Sequence, residues 1–439
     1  MNKFLKSLII CISTLVPVVP VISQSFSNKV VIHGFISQGY MKSTHNNYLI
    51  PTKDGSYEFN EAAVNFTAYV TDNLRMGLQL FSRDFGREGN NDVLLDWAYA
   101  DYLWKDALGI RLGKIKIPVG FYNQIRDIDL LRTSILLPQG VYEEAMRDFL
   151  LAHQGASLYG NIPLLSAGSI DYEIVGGSLS IPDPRTGWWR FVFLDLLGNV
   201  TQFYPDGTVG SVRDPSVTGK YALGGSFKWN TPLQGLRLGG SYNISKLFLA
   251  AYADMVWPIP LDLSFLDPRL QGIALRSTDV IEMEIDIDIK NYYTLSAEYS
   301  WDNLRITGEY LSTDFKTDVS LMLPETPIFS DKITFKPEGY YVQIQYQFCN
   351  WLELGTYYSE FYPNRKDKEG KTFKETGDHD YLAWQKDACL TIRLDMAKNW
   401  TSKFEYHLID GGGQVRKFDN PEGIKRHWGL FAVKTSFHF

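Results

Sequence analysis

The chain of 439 residues lacks a strong excess of charge and has little cysteine, and each of these deficits excludes a class of protein. Its 43 Lys and Arg against 50 Asp and Glu give a formal charge of −7. Proteins that bind nucleic acid usually carry a basic face, so we expect no nucleic-acid partner. Three cysteines are too few for a dense disulfide framework. The 45% hydrophobic and 14% aromatic content argues against a disordered chain.

Long apolar runs are also scarce, and the one at the N-terminus has the pattern of a signal peptide. Residues 1–23 carry two lysines, Lys3 and Lys6, near the start, continue as an apolar segment and end in Val21-Ile22-Ser23. We therefore expect export, and one domain over residues 24–439. No later apolar run reaches the 18 or so residues of a membrane-spanning helix. A membrane protein with this sequence must then be a closed β-barrel, the other fold that satisfies all backbone polar groups in lipid.

The spacings that indicate metal or catalytic chemistry are missing. The seven His residues show no His-x-x-x-His pattern, and neither Cys-x-x-Cys nor a Walker-type phosphate loop is present. Cys349 and Cys389 fall on predicted strands with another strand between them, which argues against a disulfide. Asp378, His379 and Asp380 share one predicted loop and could bind a divalent ion, but a solvated loop tip is the simpler interpretation. We expect no cofactor, no metal centre and no enzyme activity.

Alternation with a period of two dominates the rest of the chain and predicts strands. It is clearest over residues 62–70, 74–80, 293–301, 342–348 and 400–408. Seven short turns and eight longer polar connections separate sixteen predicted strands. Strict alternation of short and long connections is typical of an outer-membrane β-barrel. A soluble β-sandwich would alternate too, but aromatic residues at strand ends favour the barrel. The final strand ends in Phe439, which resembles an outer-membrane assembly signal.

One segment carries a more specific resemblance. Residues 111–123 read Arg-Leu-Gly-Lys-Ile-Lys-Ile-Pro-Val-Gly-Phe-Tyr-Asn, and a related pattern continues to about Gly160. This stretch of about 50 residues resembles the fifth strand and third long loop of Gram-negative outer-membrane porins, in particular a little-characterised proteobacterial family. The rest of the chain resembles porins in pattern only. The resemblance implies a sixteen-stranded, homotrimeric, passive channel whose third loop folds into the lumen.

The predicted third loop, residues 117–150, has the composition of a pore constriction. Opposed charges across a narrow, water-filled opening create a transverse field that orients polar solutes. A solvated lid with weak local salt bridges is the alternative. The candidate loop residues are Arg126, Asp127, Asp129, Arg132, Glu143, Glu144, Arg147 and Asp148. The strand phases add the lumen residues Arg75, Arg83, Arg305, Glu309, Glu353, Arg393, Lys403, Glu405 and Lys434, while leaving the phase of Lys114 and Lys116 ambiguous.

An acidic row precedes the tenth predicted strand. Glu282, Glu284, Asp286 and Asp288 alternate with apolar residues, and the same phase continues unbroken through Tyr293 to Trp301. The 21 residues from Ile281 to Trp301 exceed the roughly 9–11 that a tilted strand needs to cross a bilayer. We expect this strand to extend past the rim and to place its acidic row at the pore mouth, where it attracts cations. A charged extension that contacts a neighbouring subunit is the alternative.

Three functions are compatible with these patterns. The first is an outer-membrane porin for passive diffusion of small hydrophilic solutes and ions. The second is a substrate-specific channel for anions or sugars, and the third is a barrel enzyme or adhesin without a through-pore. The expected partners are outer-membrane lipid and lipopolysaccharide, two further copies of the chain, and the solutes themselves.

Overall fold

The computed structural model describes residues 30–86, 89–147, 151–181, 208–256, 261–262, 274–275, 279–323 and 326–439. The expected signal peptide and the candidate site residue Asp148 lie outside these ranges. In the part of the chain described, no helix is both long and apolar enough to cross a membrane.

The described residues form strands joined by turns, with a few short helices. The strands are β1 (Val30–Ser43), β2 (Phe59–Tyr69), β3 (Leu74–Phe85), β4 (Val93–Lys105), β5 (Leu108–Lys116), β6 (Ala152–Pro163), β7 (Ser169–Leu179), β8 (Thr208–Asn230), β9 (Leu236–Val256), β10 (Leu261–Asp262), β11 (Ala274–Leu275), β12 (Asp279–Trp301), β13 (Leu304–Leu323), β14 (Thr326–Phe335), β15 (Glu338–Cys349), β16 (Leu352–Tyr362), β17 (Gln385–Ala397), β18 (Trp400–Gly411) and β19 (His427–His438). The helices are α1 (Lys371–Glu375) and the 3-10 turns Asn123–Ile125, Asp129–Leu131, Glu144–Met146, Leu165–Ala167, Asp380–Ala383 and Lys417–Asp419.

Sixteen of these strands close into one antiparallel barrel, as the sequence predicts. They are β1–β9, β12, β13 and β15–β19, each paired with the next. The last strand returns to the first, with Gln38 opposite Thr435, and the backbone N–H of Phe439 donates to the carbonyl oxygen of Gly34 (3.0 Å). The predicted short turns all join strands on one side, which we call the short-turn side. Because the sheet closes, its first and last strands have no free edge.

The two faces of the barrel have opposite polarity. On β18, Lys403 and Glu405 are buried inside, whereas Phe404, Tyr406 and Leu408 are exposed on the outside. Exposed aromatic side chains are distributed around the outer surface, including Trp104, Phe227, Trp301, Phe348, Trp351 and Phe437. A soluble sandwich would bury the apolar row, so this arrangement is that of a barrel with an apolar outside and a polar lumen.

Four strands rise beyond their neighbours on the long-loop side. β8, β9, β12 and β13 have 23, 21, 23 and 20 residues, whereas β2 on the opposite side of the barrel has 11. The predicted extension of β12 is therefore confirmed. Parts of residues 208–217, 247–256 and 314–323, which the sequence pattern assigned to loops, are strand because each pairs with an equally long neighbour.

A β-bulge in β12 changes which row faces inward. The register against β9 shifts between Ile289 and Tyr292, and Asn291 between them has a φ of 52°. Both Ile289 and Tyr292 are buried, so the extra residue exchanges the two faces of the strand at this point. The phase is therefore interrupted, although the sequence pattern predicts that it is continuous.

The acidic row consequently lies on the outer face of the extension. Asn243 of β9 faces the lumen, where its side-chain amide contacts the carbonyl oxygen of Pro118 (3.4 Å). Leu249 lies on the same face of β9, and Ile285 is directly opposite it. The apolar row is thus the inner one, and Glu282, Glu284, Asp286 and Asp288 point away from it. The prediction that these four carboxylates face the pore mouth is wrong, because it assumed an unbroken strand phase.

Candidate pore constriction

The connection between β5 and β6, residues 117–151, crosses the interior of the barrel, and we call it the inward loop. The backbone N–H of Phe121 donates to Glu309 Oε1 on β13 (2.8 Å). The backbone N–H of Ile135 donates to Glu405 Oε1 on β18 (2.6 Å). These two strands are well separated around the barrel, with β15, β16 and β17 between them. The loop is therefore attached to wall strands about a quarter-turn apart around the barrel.

A buried cluster of charges joins the inward loop to β3, β4 and β5. Glu144 of the loop accepts hydrogen bonds from Arg83 Nη1 (2.8 Å) and from Arg126 Nη2 (2.7 Å). Asp127 pairs with Lys116, and Gln79 Nε2 donates to its other oxygen (2.6 Å). Arg147 and Asp96 complete the cluster, with 3.9 Å between Arg147 Nη2 and Asp96 Oδ1. Because all these groups are buried, removal of one partner would leave an uncompensated charge.

The neighbouring cations keep two of these carboxylates ionised. Burial raises the pKa of Asp127, but Lys116 and Arg147 outweigh it and lower that pKa to about 2. Burial also raises the pKa of Glu144. The nearby guanidinium groups of Arg126 and Arg83 outweigh this effect and hold that pKa well below its usual range. Glu143 lacks a comparably close cation, so burial raises its pKa to about 7, with Arg416 opposing the shift.

A second buried cluster joins the loop to β18 and β19. Asp129 Oδ1 lies 2.9 Å from Lys403 Nζ and 3.5 Å from Lys434 Nζ, and both lysine side chains are almost fully buried. Ser436 Oγ donates to Asp129 Oδ2 (2.7 Å). Arg132 Nε lies 3.6 Å from Asp129 Oδ1. Burial raises the pKa of Asp129, but Lys403 and Lys434 hold it well below its ordinary value. The Asp129 carboxylate thus pairs with the ammonium groups of both Lys403 and Lys434.

A third attachment uses β16 and β17. Arg393 Nη1 donates to the carbonyl oxygen of Leu130 (2.7 Å), and Thr133 Oγ1 donates to Glu353 Oε1 (2.5 Å). The predicted lumen positions Arg83, Glu309, Glu353, Arg393, Lys403, Glu405 and Lys434 all contact the inward loop or its ionic partners. These wall residues therefore lie on the inner face of the barrel.

The sequence reasoning missed three wall residues that hold the loop. Gln79 shares the phase of Arg75 and Arg83 on β3, so the alternation itself could have identified it. Asp96 was not identified because it lies at a register shift between β3 and β4, where the alternation of inward and outward side chains along β4 is interrupted. Lys116 was ambiguous, and the structure places its ammonium group against Asp127 and Asp96.

The described charges of the inward loop are not arranged as opposed rows across open water. Arg126, Asp127, Asp129, Glu144 and Arg147 are each less than one-tenth exposed and pair with the wall or with one another. This arrangement corrects the sequence-based picture of a water-facing field, and it equally excludes a solvated lid. The reason is that the lumen wall carries complementary charges, which remain paired only if the loop packs against them.

Among the described residues of the inward loop, the most exposed side chains are apolar. Ile128, Leu130 and Leu131, which we call the apolar tip, are 40%, 39% and 47% exposed. Ile128 borders a cavity of about 390 Å³ between the loop and β2–β5. Residues that line the rest of this cavity include Asn65, Thr67, Trp97, Tyr99 and Arg111. A cavity lined by both polar and apolar side chains therefore lies beside the loop, with Ile128 of the apolar tip at its border.

Two arginine side chains near the short-turn side, from different parts of the wall, project into the lumen. Arg75 Nη2 lies 2.7 Å from Asp101 Oδ2, and the arginine side chain is 43% exposed against 2% for the aspartate. Arg237 Nη2 lies 2.5 Å from Glu298 Oε1, and the arginine side chain is 46% exposed against 4% for the glutamate. The Arg237 guanidinium also lies 5.6 Å from the ring of Phe121, which places it on the lumen side. In both pairs the carboxylate is covered and the guanidinium group is the exposed member, so each pair presents positive charge to the lumen.

The three loop residues considered for a metal do not converge. Asp378 Oδ2 pairs with Lys417 Nζ (2.8 Å), and Asp380 Oδ2 pairs with Lys374 Nζ (2.8 Å). His379 stacks on the ring of Tyr381. Each side chain thus has its own partner.

No protein-family model and no curated protein matches the sequence. Among solved structures, OmpF of Salmonella typhi in complex with daunomycin aligns with a TM-score of 0.53 at 14% identity, over 94% of this chain and 98% of OmpF. An anion-selective porin from Comamonas acidovorans aligns with a TM-score of 0.48 at 10% identity, over 93% and 99% of the two chains. The channel DcaP of Acinetobacter baumannii gives 0.46 at 9%, over 93% and 97%. The alignment with OmpF shows that the chain has the fold of outer-membrane porins.

Proposed function

We propose that the protein is an outer-membrane channel through which small hydrophilic solutes and ions diffuse passively. The observation that carries this proposal is a closed barrel whose polar interior is crossed, but not filled, by the inward loop. The apolar outer face suits lipid, and the cavity beside the loop, which charged and amide side chains line in part, suits water and solutes. An enzyme or adhesin would not require a polar passage through the barrel.

Reconstitution in planar lipid bilayers tests this function. The folded protein should produce stepwise increases in ion current, whereas the same preparation after heat unfolding should produce none. A folded barrel that inserts into the bilayer without conducting would contradict the proposal and favour an enzyme or adhesin.

The exposed arginines favour a preference for anions, which keeps the substrate-specific alternative open. Replacing Arg75 and Arg237 together by glutamine should lower the anion-to-cation permeability ratio by about twofold or more, since charged lumen groups set ion preference. The measurement is the reversal potential in a salt gradient. A matched control is Lys53→Gln, which removes one cation from a surface pair with Glu422 among the long loops. An unchanged reversal potential in the double variant would show that these arginines do not face the solute path.

The apolar tip should restrict the current because apolar constrictions disfavour water. Replacing Ile128, Leu130 and Leu131 by serine should raise the single-channel conductance by about twofold, as expected for a wetter passage. Leu165→Ser is the control, because Leu165 is 96% exposed in a short turn outside the lumen. If the triple variant conducts like the unchanged protein, the apolar tip does not border the passage.

The remaining expectations complete the proposal. Residues 1–23 direct export, residues 24–439 form the mature barrel, and Phe439 acts as the assembly signal in the outer membrane. Its side chain is 65% exposed beside the strand pair that closes the barrel, where an assembly factor can reach it. The chain forms a homotrimer in contact with lipid and lipopolysaccharide, which native mass measurement in detergent tests.

A further inference from the structure

Side chains from three neighbouring strands meet on the inner wall of the barrel. Strand register places Tyr357 of β16, Cys389 of β17 and His407 of β18 in one row, and Glu405 lies two residues from His407 on the same face. Cys389 Sγ is 3.8 Å from His407 Nε2, which is 3.4 Å from Glu405 Oε2. The three donor atoms lie within 4.8 Å of one another. We propose that Cys389, His407 and Glu405 bind one divalent transition-metal ion, with Zn²⁺ as the best fit.

The donor set matches the coordination chemistry of zinc. Thiolate, imidazole and carboxylate are its usual protein ligands, at roughly 2.3 Å for sulfur and 2.0–2.2 Å for nitrogen and oxygen. Ligand atoms around a tetrahedral ion of that size are about 3.3–3.8 Å apart, so small side-chain adjustments suffice here. A thiolate ligand argues against Ca²⁺ and Mg²⁺, which prefer oxygen.

The neighbouring groups orient the ligands in the way that metal sites require. Asp387 Oδ2 lies 3.0 Å from His407 Nδ1, so a proton on that nitrogen leaves Nε2 free to bind the ion. Thr391 Oγ1 donates to Glu405 Oε1 (3.0 Å), and the backbone N–H of Ile135 donates to the same oxygen. The histidine and the carboxylate are therefore both held in place before any ion binds.

Cys389 contacts His407, which in turn contacts Asp387, and this order resembles the nucleophile, base and carboxylate of a catalytic triad. Catalysis by that set requires space for a substrate next to the sulfur. Cys389 is 2% exposed, and Glu405 and His407 are 1% exposed. A single ion needs far less space than a substrate, so the enclosed geometry favours a metal site over an active site.

The site also touches the inward loop. Glu405 accepts hydrogen bonds from the backbone N–H groups of Ile135 and Leu136 (2.6 and 3.1 Å). A bound ion would restrain this carboxylate and with it one attachment of the loop. That consequence for conductance rests on the proposed channel function, whereas metal binding itself does not.

Cobalt binding to the full-length folded protein in detergent tests the proposal. After chelator treatment, titration with Co²⁺ should give one ion per chain and a sulfur-to-cobalt charge-transfer band, and Zn²⁺ should displace it. Cys389→Ser should lose the band and most of the affinity. The control Cys349→Ser removes the other described thiol, which is exposed, and should retain both. Asp387→Asn should weaken binding by about 10–100-fold, as loss of an orienting partner does elsewhere.

Two results would overturn the proposal: no cobalt binding to the folded unchanged protein, or undiminished binding to Cys389→Ser. Unboiled gel mobility checks that each variant is folded, and His407→Gln replaces Cys389→Ser if the serine variant does not fold. Bilayer recordings on the same samples keep the proposals separate. A protein that binds cobalt but does not conduct contradicts the channel function alone.

Discussion

Asp129→Asn should destabilise the folded barrel by about 3–5 kcal/mol, the usual cost of removing one partner from a buried ion pair. Asparagine preserves the shape and the contact with Ser436, but the negative charge beside Lys403 is lost. Lys434 still has an ion-pair partner, because its Nζ lies 2.5 Å from Glu61 Oε2. Lys403 is therefore the group left without its carboxylate partner. The temperature or urea concentration at which unboiled protein shifts to its unfolded gel mobility measures the effect.

A double variant gives the matched control for this pair. Asp129→Asn combined with Lys403→Met removes both charges and should recover much of the lost stability, because no buried charge is left alone. Single-variant stability equal to that of the unchanged protein would contradict the assignment of Asp129 as the main partner of Lys403.

The same carboxylate predicts the acid behaviour of the unchanged protein. The pKa of Asp129 is depressed in the folded state by Lys403 and Lys434, against the effect of burial. A carboxyl group of this kind stabilises the fold fully above its unfolded pKa of about 3.9, and the contribution is lost as the pH falls toward the folded value. We therefore expect the Asp129 contribution to be unchanged from pH 7 to about pH 5, and to decrease at lower pH.

Glu309→Ala should release the first part of the inward loop and make the open channel noisier and more conductive. Glu309 accepts hydrogen bonds from the backbone N–H of Phe121 and from the hydroxyls of Tyr142, Tyr341 and Ser296, at 2.5–2.8 Å. Each buried donor left without an acceptor costs about 1–3 kcal/mol. The interstrand hydrogen bonds do not involve this side chain, so the barrel should stay closed while the loop detaches.

Single-channel recording compares this variant with Glu309→Gln. The glutamine side chain keeps one acceptor oxygen, so its traces should be intermediate between those of the alanine variant and the unchanged protein. Quiet, unchanged traces from a folded Glu309→Ala protein would mean that the loop is held without this carboxylate. Limited proteolysis of the loop gives a second, independent measure of its release.

The strand pattern predicted most of the barrel, and one local irregularity caused the main error. The alternation from Trp400 to Leu408 correctly placed Lys403 and Glu405 inside, because side-chain direction alternates along any strand. The same rule failed in β12, where the bulge at Asn291 adds one residue and exchanges the faces. Asn291 is the one polar residue in the odd-numbered row from Ile281 to Trp301, and asparagine tolerates a positive φ, but the apolar row resumes at Tyr293, so alternation alone does not reveal the bulge.

The sequence by itself determined the sixteen strands, the short turns between them and the polarity of the two faces. These are local properties, since alternation and turn residues act over a few positions along the chain. Only the tertiary structure decided which charges meet. Lys403 reaches Asp129 across 274 residues, and Cys389 lies opposite His407 because of strand register. Chain closure and loop burial bring such groups together, so the partner of each charge depends on the whole fold and cannot be read from its neighbours in the sequence.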